Sequence, residues 1–182
     1  KKIKSCVIDT WEIGEKKYSF NNYYRRKLME AQTSIKIVTP YLMPPRWLLA
    51  SLDNAIHRGV SVEIIIPQDT DIKFLNKINY ANASYLSSVG VIFYLTQAMN
   101  HAKVMIIDDK EALVGSQNLD ILSFNFNLEL GVFFKQKQAV ADLLKIWRRW
   151  RDSAVKINLS SQRLVWHHRW LMVILRIFFP FF

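Results

Sequence analysis

The chain predicts an α/β fold in which a mixed β-sheet is sandwiched between helices. Three observations lead there. Strand-like and helix-like segments alternate from about residue 21 to residue 95, and a strand–turn–strand pattern follows at 102–114. Of the 182 residues, 51% are apolar, enough for the core of one domain plus an appendage.

Residues 1–20 carry only one short apolar run, at 6–8, and predict a linker or an edge strand. The pattern YYRRKLMEA predicts a helix over 21–32. Residues 34–39 alternate and stop at Pro40, as a strand does, and 41–45 form a loop. An amphipathic helix is expected over 46–58, closed by Gly59. A second strand covers 60–66 and ends at Pro67. A helix over 72–88 closes near Gly90, and 91–95 forms a third strand. Such alternation implies right-handed crossovers and a parallel or mixed sheet. Residues 102–107 and 112–114 should form an antiparallel hairpin around a tight turn at 108–110. A strand over 128–134 and a long helix over 136–152 complete a domain expected to span 21–155. The chain shows no internal repeat and no low-complexity stretch.

Residues 156–182 are of another kind. LVWHHRWLMVILRIFFPFF is rich in aromatic and aliphatic residues, but Arg169 and Arg176 break it into short apolar runs. A spanning helix needs roughly 20 apolar residues with few charges. Arginine and tryptophan mixed with bulky aliphatics fit instead a helix lying in the headgroup zone, with packing on a protein partner as the alternative. The charge agrees. Of a net charge of +10, most lies from Lys135 onward, where ten basic side chains face only Asp142 and Asp152. An anionic membrane surface is the expected partner, and peripheral binding the expected mode. Cys6 is the single cysteine, which rules out an intramolecular disulfide and disfavours a thiolate metal site. The chain begins with Lys1, lacks a secretory signal pattern, and reads as a piece of a longer or processed protein.

The chemistry concentrates at 101–118, in HAKVMIIDDKEALVGSQN. Its spacing is H-x-K-x4-D-x6-G-S-x-N. On a strand, residues two apart share a side, so His101 and Lys103 point together. Ser116 and Asn118 offer a second polar pair just after Gly115. A histidine nitrogen can attack phosphorus, while a lysine and neutral donors hold the phosphoryl oxygens. Such a site needs no metal, and no ligand cluster is spaced around His101. A reactive imidazole needs its second nitrogen fixed, and Glu129 is the best candidate for this. Asn127 and Glu129 should share one face of the following strand, with Leu128 and Leu130 on the other. Asp108 takes part either in the chemistry or as the turn residue that holds the hairpin. Tyr41 lines a cleft or packs. His57 reads as a surface residue near a helix end, and His167 and His168 as part of the tail.

The set His101, Lys103, Asp108, Gly115, Ser116 and Asn118 resembles the HKD motif of the phospholipase D superfamily. The likeness extends to TPYLMPP at 39–45, RGVSVEIIIP at 58–67 and GSQNLDILSFNFNLE at 115–129, which are similar to the C-terminal half of bacterial cardiolipin synthases. It covers residues 21–152. The resemblance implies a phospholipase D-like sheet between helices and a phosphohistidine mechanism with no metal and no cofactor. It also implies an active site assembled from two HKD motifs. His101, Lys103, Asp108, Ser116, Asn118 and Glu129 occupy the motif positions. No second H-x-K stands in the chain, so a second motif is expected from a missing N-terminal half or a homodimer mate, and His101 would be nucleophile or general acid. The leading expectation is phosphatidyl transfer that makes cardiolipin from phosphatidylglycerol at the bacterial cytoplasmic membrane. Alternatives are a phospholipase D, a homodimeric phosphodiesterase or nuclease with the same site, and a non-catalytic membrane-binding domain. With phospholipid as substrate, no nucleic acid partner is expected.

Overall fold

A computed structural model describes residues 5–9 and 20–157, with the backbone alone at 5–9 and 20. The expected tail helix lies outside the described residues. Eight strands form one mixed sheet. In chain order these are β1 (Ser5–Asp9), β2 (Ser34–Val38), β4 (Ser61–Pro67), β5 (Ile92–Thr96), β6 (Val104–Ile107), β7 (Glu111–Gly115), β9 (Leu130–Phe134) and β10 (Val155–Ile157). Across the sheet they run β1-β9-β7-β6-β2-β4-β5-β10. The pairs β2–β4 and β4–β5 are parallel, and every other pair is antiparallel. The two intervening strands, β3 (Leu42–Met43) and β8 (Leu119–Asp120), pair with each other in a small parallel sheet.

Alternation along the strands gives the sheet two apolar faces. Ile35, Ile37, Val62, Ile64, Met105 and Leu113 pack with α1 (Phe20–Glu30), α2 (Arg46–His57), α3 (Lys73–Ser88) and α4 (Ile121–Asn125). Val38, Ile65, Val104, Ile106 and Ala112 turn the other way, onto Val140, Leu144 and Trp147 of α5 (Lys137–Asp152). The expected sandwich is therefore present, with, among the described residues, four helices on one face and one on the other. Gly59 and Gly90 follow α2 and α3 at φ +85° and +107°, where a side chain would be strained. Among the ionic contacts, buried Lys27 pairs with Glu111 at 2.8 Å and Glu30 at 2.9 Å, which satisfies a charge that would be costly alone.

The β6–β7 hairpin turns on Asp108 and Asp109, both at positive φ (53° and 55°). Paired left-handed residues match the twist of a hairpin, and aspartate is among the few non-glycine residues that tolerate them. The Asp108 carboxylate accepts from the Gln32 and Thr33 amides at 3.1 and 2.7 Å. It also accepts from the Ser34 amide at 3.0 Å and the Thr33 hydroxyl at 2.9 Å. Partial burial pushes its pKa up. The backbone donors of Ser34, Thr33 and Gln32 and the Thr33 hydroxyl outweigh that and hold it below the ordinary carboxylate range. Asp108 thus ties the hairpin turn to the entry of β2. These contacts are those of the turn role, one of the two open to it, and they lie at the far end of β6 from Lys103.

Two differences from the expected boundaries bear on the site. β6 begins at Val104, so His101 and Lys103 lie in the extended approach to the strand. β9 begins at Leu130, so Glu129 lies just before it. The register places the carboxyl ends of β2, β4, β5 and β7 at one edge of the sheet, with the amino ends of β6 and β9.

Asp108→Asn keeps the turn geometry but removes the charge, and should cost about 1–3 kcal/mol in urea unfolding at neutral pH. A folded-state pKa below the unfolded one stabilises above the unfolded value and ceases to as pH falls through the folded one. The gap between wild type and variant should therefore shrink on acidification below about pH 4, and a gap independent of pH would contradict the role assigned to this carboxylate. At Gly115, an added Cβ would stand 2.5 Å from the Leu130 carbonyl oxygen and 2.8 Å from Gly131 Cα. Gly115→Ala should therefore force β7 and β9 apart and lower the melting temperature by several degrees, roughly what 1–3 kcal/mol gives. An unchanged melting curve would show that the strands have room.

Candidate active site

Loops from several elements meet at that edge. After β2, Pro40 stops the ladder and Tyr41 leads into β3. Two buried asparagines of α3 hold this turn. Asn79 donates to the Pro40 carbonyl at 2.8 Å and accepts from the Leu42 amide at 2.7 Å, and Asn82 donates to the Leu42 carbonyl at 2.8 Å. The Thr39 hydroxyl donates to the Tyr41 carbonyl at 2.9 Å and accepts from the Leu119 amide at 3.2 Å. The 39–43 turn is thereby fastened to the segment that carries Asn118.

His101 and Lys103 share a side, as their spacing predicts. Lys103 Nζ lies 2.9 Å from His101 Nδ1 and donates to the His101 carbonyl at 2.7 Å. The Tyr41 ring meets the imidazole edge-on, with centroids 5.9 Å apart. Its hydroxyl donates to Asp71, beyond the end of β4, at 2.6 Å. Burial pushes the Tyr41 phenol up to about 12, with the Asp71 hydrogen bond and the Asp71 and Asp120 charges adding. Partial burial lowers the Lys103 ammonium below the ordinary lysine value, against the attraction of Glu129, Asp120 and Asp71. Three carboxylates thus converge on one cation.

Across the hairpin, the Gly115 amide donates to the Lys103 carbonyl at 3.2 Å, so the chain leaving β7 runs beside the chain entering β6. The Ser116 hydroxyl donates to Glu129 and accepts from the Leu130 amide at 3.0 Å. Glu129 is buried, 8% exposed, whereas Leu128 is 72% exposed. Asn127 reaches Glu129 at 3.4 Å, so the two share a face as expected, and Leu128 and Leu130 are exposed on the other. The Asn118 amide is turned to Asp120. Burial holds the Asp120 carboxyl above its usual range, against hydrogen bonds from Ser123 and Asn118. Asp120 also caps α4, accepting from the Ser123 amide at 2.6 Å.

Five of the six residues singled out in the sequence therefore gather at one edge. His101 and Lys103 are in contact, Ser116 is bonded to Glu129, and Asn118 is joined through Asp120 to the field around Lys103. The imidazole nitrogens lie 2.9 and 3.3 Å from Lys103 Nζ, and Glu129 accepts from the Ser116 hydroxyl. Asp71, Asp120, Asn79 and Asn82 were not among the sequence candidates. The two asparagines stand in helix α3 at positions where apolar residues would pack, and that was the available signal. His57 ends α2 with an exposed ring whose Nδ1 is 2.9 Å from the Asp53 carbonyl oxygen, a surface role as expected. Among the described residues there is no group of three or more His, Cys, Asp or Glu side chains able to hold a metal ion. No helix there is long and apolar enough to cross a membrane.

The chain is similar to known proteins. A family model described as cardiolipin synthase, PLD-like domain, matches residues 24–151. A probable cardiolipin synthase, YwiE of Bacillus subtilis strain 168, is 37% identical over 131 residues, covering 70% of this chain and 26% of the relative. The cardiolipin synthase of Staphylococcus aureus strain N315 is 32% identical over 149 residues, covering 81% of this chain and 30% of the relative. The chain thus spans about a quarter to a third of the length of these relatives. Among solved structures, the phospholipase D family member Nuc from Salmonella typhimurium superposes with a TM-score of 0.66 at 20% identity, covering 86% of this chain and 99% of Nuc. The phosphatidylserine synthase of Haemophilus influenzae Rd KW20 gives 0.69 at 19% identity, covering 97% and 45%. The structures share the fold, and the sequence matches run through the segment that bears His101, Lys103, Ser116, Asn118 and Glu129. On that ground the chain belongs to the phospholipase D-like domain family of cardiolipin synthases.

Proposed function

We propose that this chain supplies one half of a phosphatidyltransferase site that makes cardiolipin from two molecules of phosphatidylglycerol. The gathering of His101, Lys103, Ser116 and Glu129 at one sheet edge carries the reading. In the first step an imidazole nitrogen attacks the phosphorus of one phosphatidylglycerol. The bond from phosphorus to the free glycerol breaks, and that oxygen takes a proton from a second imidazole. The phosphatidyl group is now on histidine. In the second step the terminal hydroxyl of another phosphatidylglycerol gives its proton back to the second imidazole and attacks phosphorus. Cardiolipin leaves, and the first imidazole is free again. His101 supplies one of the two imidazoles, and the other belongs to a second HKD motif, in an N-terminal half or in a homodimer mate.

The remaining groups act on charge. Lys103 Nζ is placed to meet a phosphoryl oxygen, exchanging its contact with His101 for the stronger one. Ser116 and Asn118 offer neutral donors once the substrate draws them from Glu129 and Asp120. Glu129 favours the cationic forms of the site. Acceptance of a lipid alcohol, rather than water, is what separates a transferase from a phospholipase D. The phosphatidylglycerol substrate places the site at a membrane surface, reached peripherally.

In the full-length protein, His101→Ala should lower cardiolipin formation from phosphatidylglycerol, read by mass spectrometry, by at least about a thousandfold. Lys103→Met should lower it by roughly 10²–10³. Unchanged product from His101→Ala would dispose of the reading. Cleavage of DNA by the wild type in chelator, with no lipid product, would favour the nuclease alternative.

A further inference from the structure

We propose that the segment 69–77 docks on an anionic phospholipid surface, immersing Ile72 and Phe74 so that the sheet edge bearing His101 faces the bilayer. The inference extends the phospholipid reading above by assigning the surface through which the site meets its substrate. Ile72 and Phe74 are each 50% exposed at the start of α3, far above what large apolar side chains normally show in a packed position. Lys73 and Lys77 alternate with them and are exposed as well.

The segment is held in shape. The Thr70 amide and hydroxyl each donate to Asn76 Oδ1 at 2.7 Å, and the hydroxyl is also 2.7 Å from the Ile72 carbonyl oxygen. Asn76 donates to Asp69 at 3.0 Å. Its two acids are exposed, but each is tied to a neighbouring side chain: Asp69 to Asn76, and Asp71 to the Tyr41 hydroxyl at 2.6 Å. Two apolar side chains and two lysines stand exposed beside them on a prearranged segment. That pairing suits a bilayer interface, where apolar groups enter the acyl boundary and ammonium groups meet anionic headgroups. A second copy of the chain suits it less well, because a twofold contact through this patch would bring its lysines toward their own counterparts. The location supports the same occupant. Through Tyr41, Asp71 joins this segment directly to the ring that contacts His101, so a lipid reached by Phe74 lies beside the site.

The test is a depth measurement at single residues of the chain. A nitroxide is attached at Phe74→Cys, and separately at Ile72→Cys, in a Cys6→Ser background. The control is Met29→Cys, 71% exposed at the end of α1, which leads into the opposite edge of the sheet. With vesicles of phosphatidylglycerol and phosphatidylcholine, nickel collisions should fall and oxygen collisions rise at 72 and 74, and neither should change at 29. The double variant Lys73→Gln, Lys77→Gln should weaken this response at least about fivefold in lipid concentration. Nickel access at 72 and 74 unchanged by vesicles would overturn the proposal. So would spin–spin broadening between copies at those sites in the absence of lipid, which would make the occupant a second chain. Immersion that persists in His101→Ala, while transfer is lost, would support it. Loss of immersion with intact transfer on monodisperse short-chain phosphatidylglycerol would overturn the anchor and leave the reaction standing. Immersion with no transfer by any form would support the anchor and end the reaction instead.

Discussion

Everything at the functional edge depends on the register of the β6–β7 hairpin. Val104 opposite Val114 brings the approach to β6 alongside the exit from β7. Residues separated along the chain by a full strand, turn and strand become neighbours there. The register is set at the far end, where Asp108 and Asp109 turn the chain and Asp108 collects the amides of residues 32–34. A carboxylate remote from the imidazole therefore decides where Lys103 and Ser116 stand. The close approach at Gly115 and Gly131 adds the third strand and carries Glu129 to the serine.

The electrostatics of the edge follow from that placement. Lys103 is partly buried, which works against its charge, and Glu129, Asp120 and Asp71 offset this only in part. An anion arriving at such a cation would meet three carboxylates, and repulsion would defeat binding if all were free. They are not free. Asp71 accepts from Tyr41, Glu129 from Ser116, and Asp120 from the Ser123 amide. The acids that attract this ammonium thus have lone pairs already engaged by protein donors.

The sequence disclosed the sandwich because its strands alternate cleanly and its helices end at Gly59 and Gly90, where only a residue without a side chain takes the required φ easily. It disclosed the cluster of His101, Lys103, Ser116 and Asn118 because all four lie within one hairpin, where spacing translates directly into position. Tyr41 and Asp71 come from different loops, and nothing local marks two residues that meet only after β2 and β4 pair. The small β3–β8 sheet was hidden for a similar reason, since two-residue strands carry no periodicity. Asp108 was legible as part of a motif, but its distance from the imidazole was not, because a motif records spacing along a strand and not which end faces the ligand. The Ser116 hydroxyl as a partner of Glu129 was not legible, because alternation gives the face of a residue and not the atom it contacts.

The most direct measurement is a structure of the assembled protein with vanadate, which adopts the five-coordinate geometry of phosphoryl transfer. Vanadate should bind at the carboxyl edge of β2, with His101 at one apex, bonded to the metal or donating to the apical oxygen, and with Lys103 and Ser116 in contact with equatorial oxygens. Vanadate seated elsewhere, or held at that edge without His101 and Lys103, would contradict the central claim that this imidazole and this ammonium act on one phosphoryl centre.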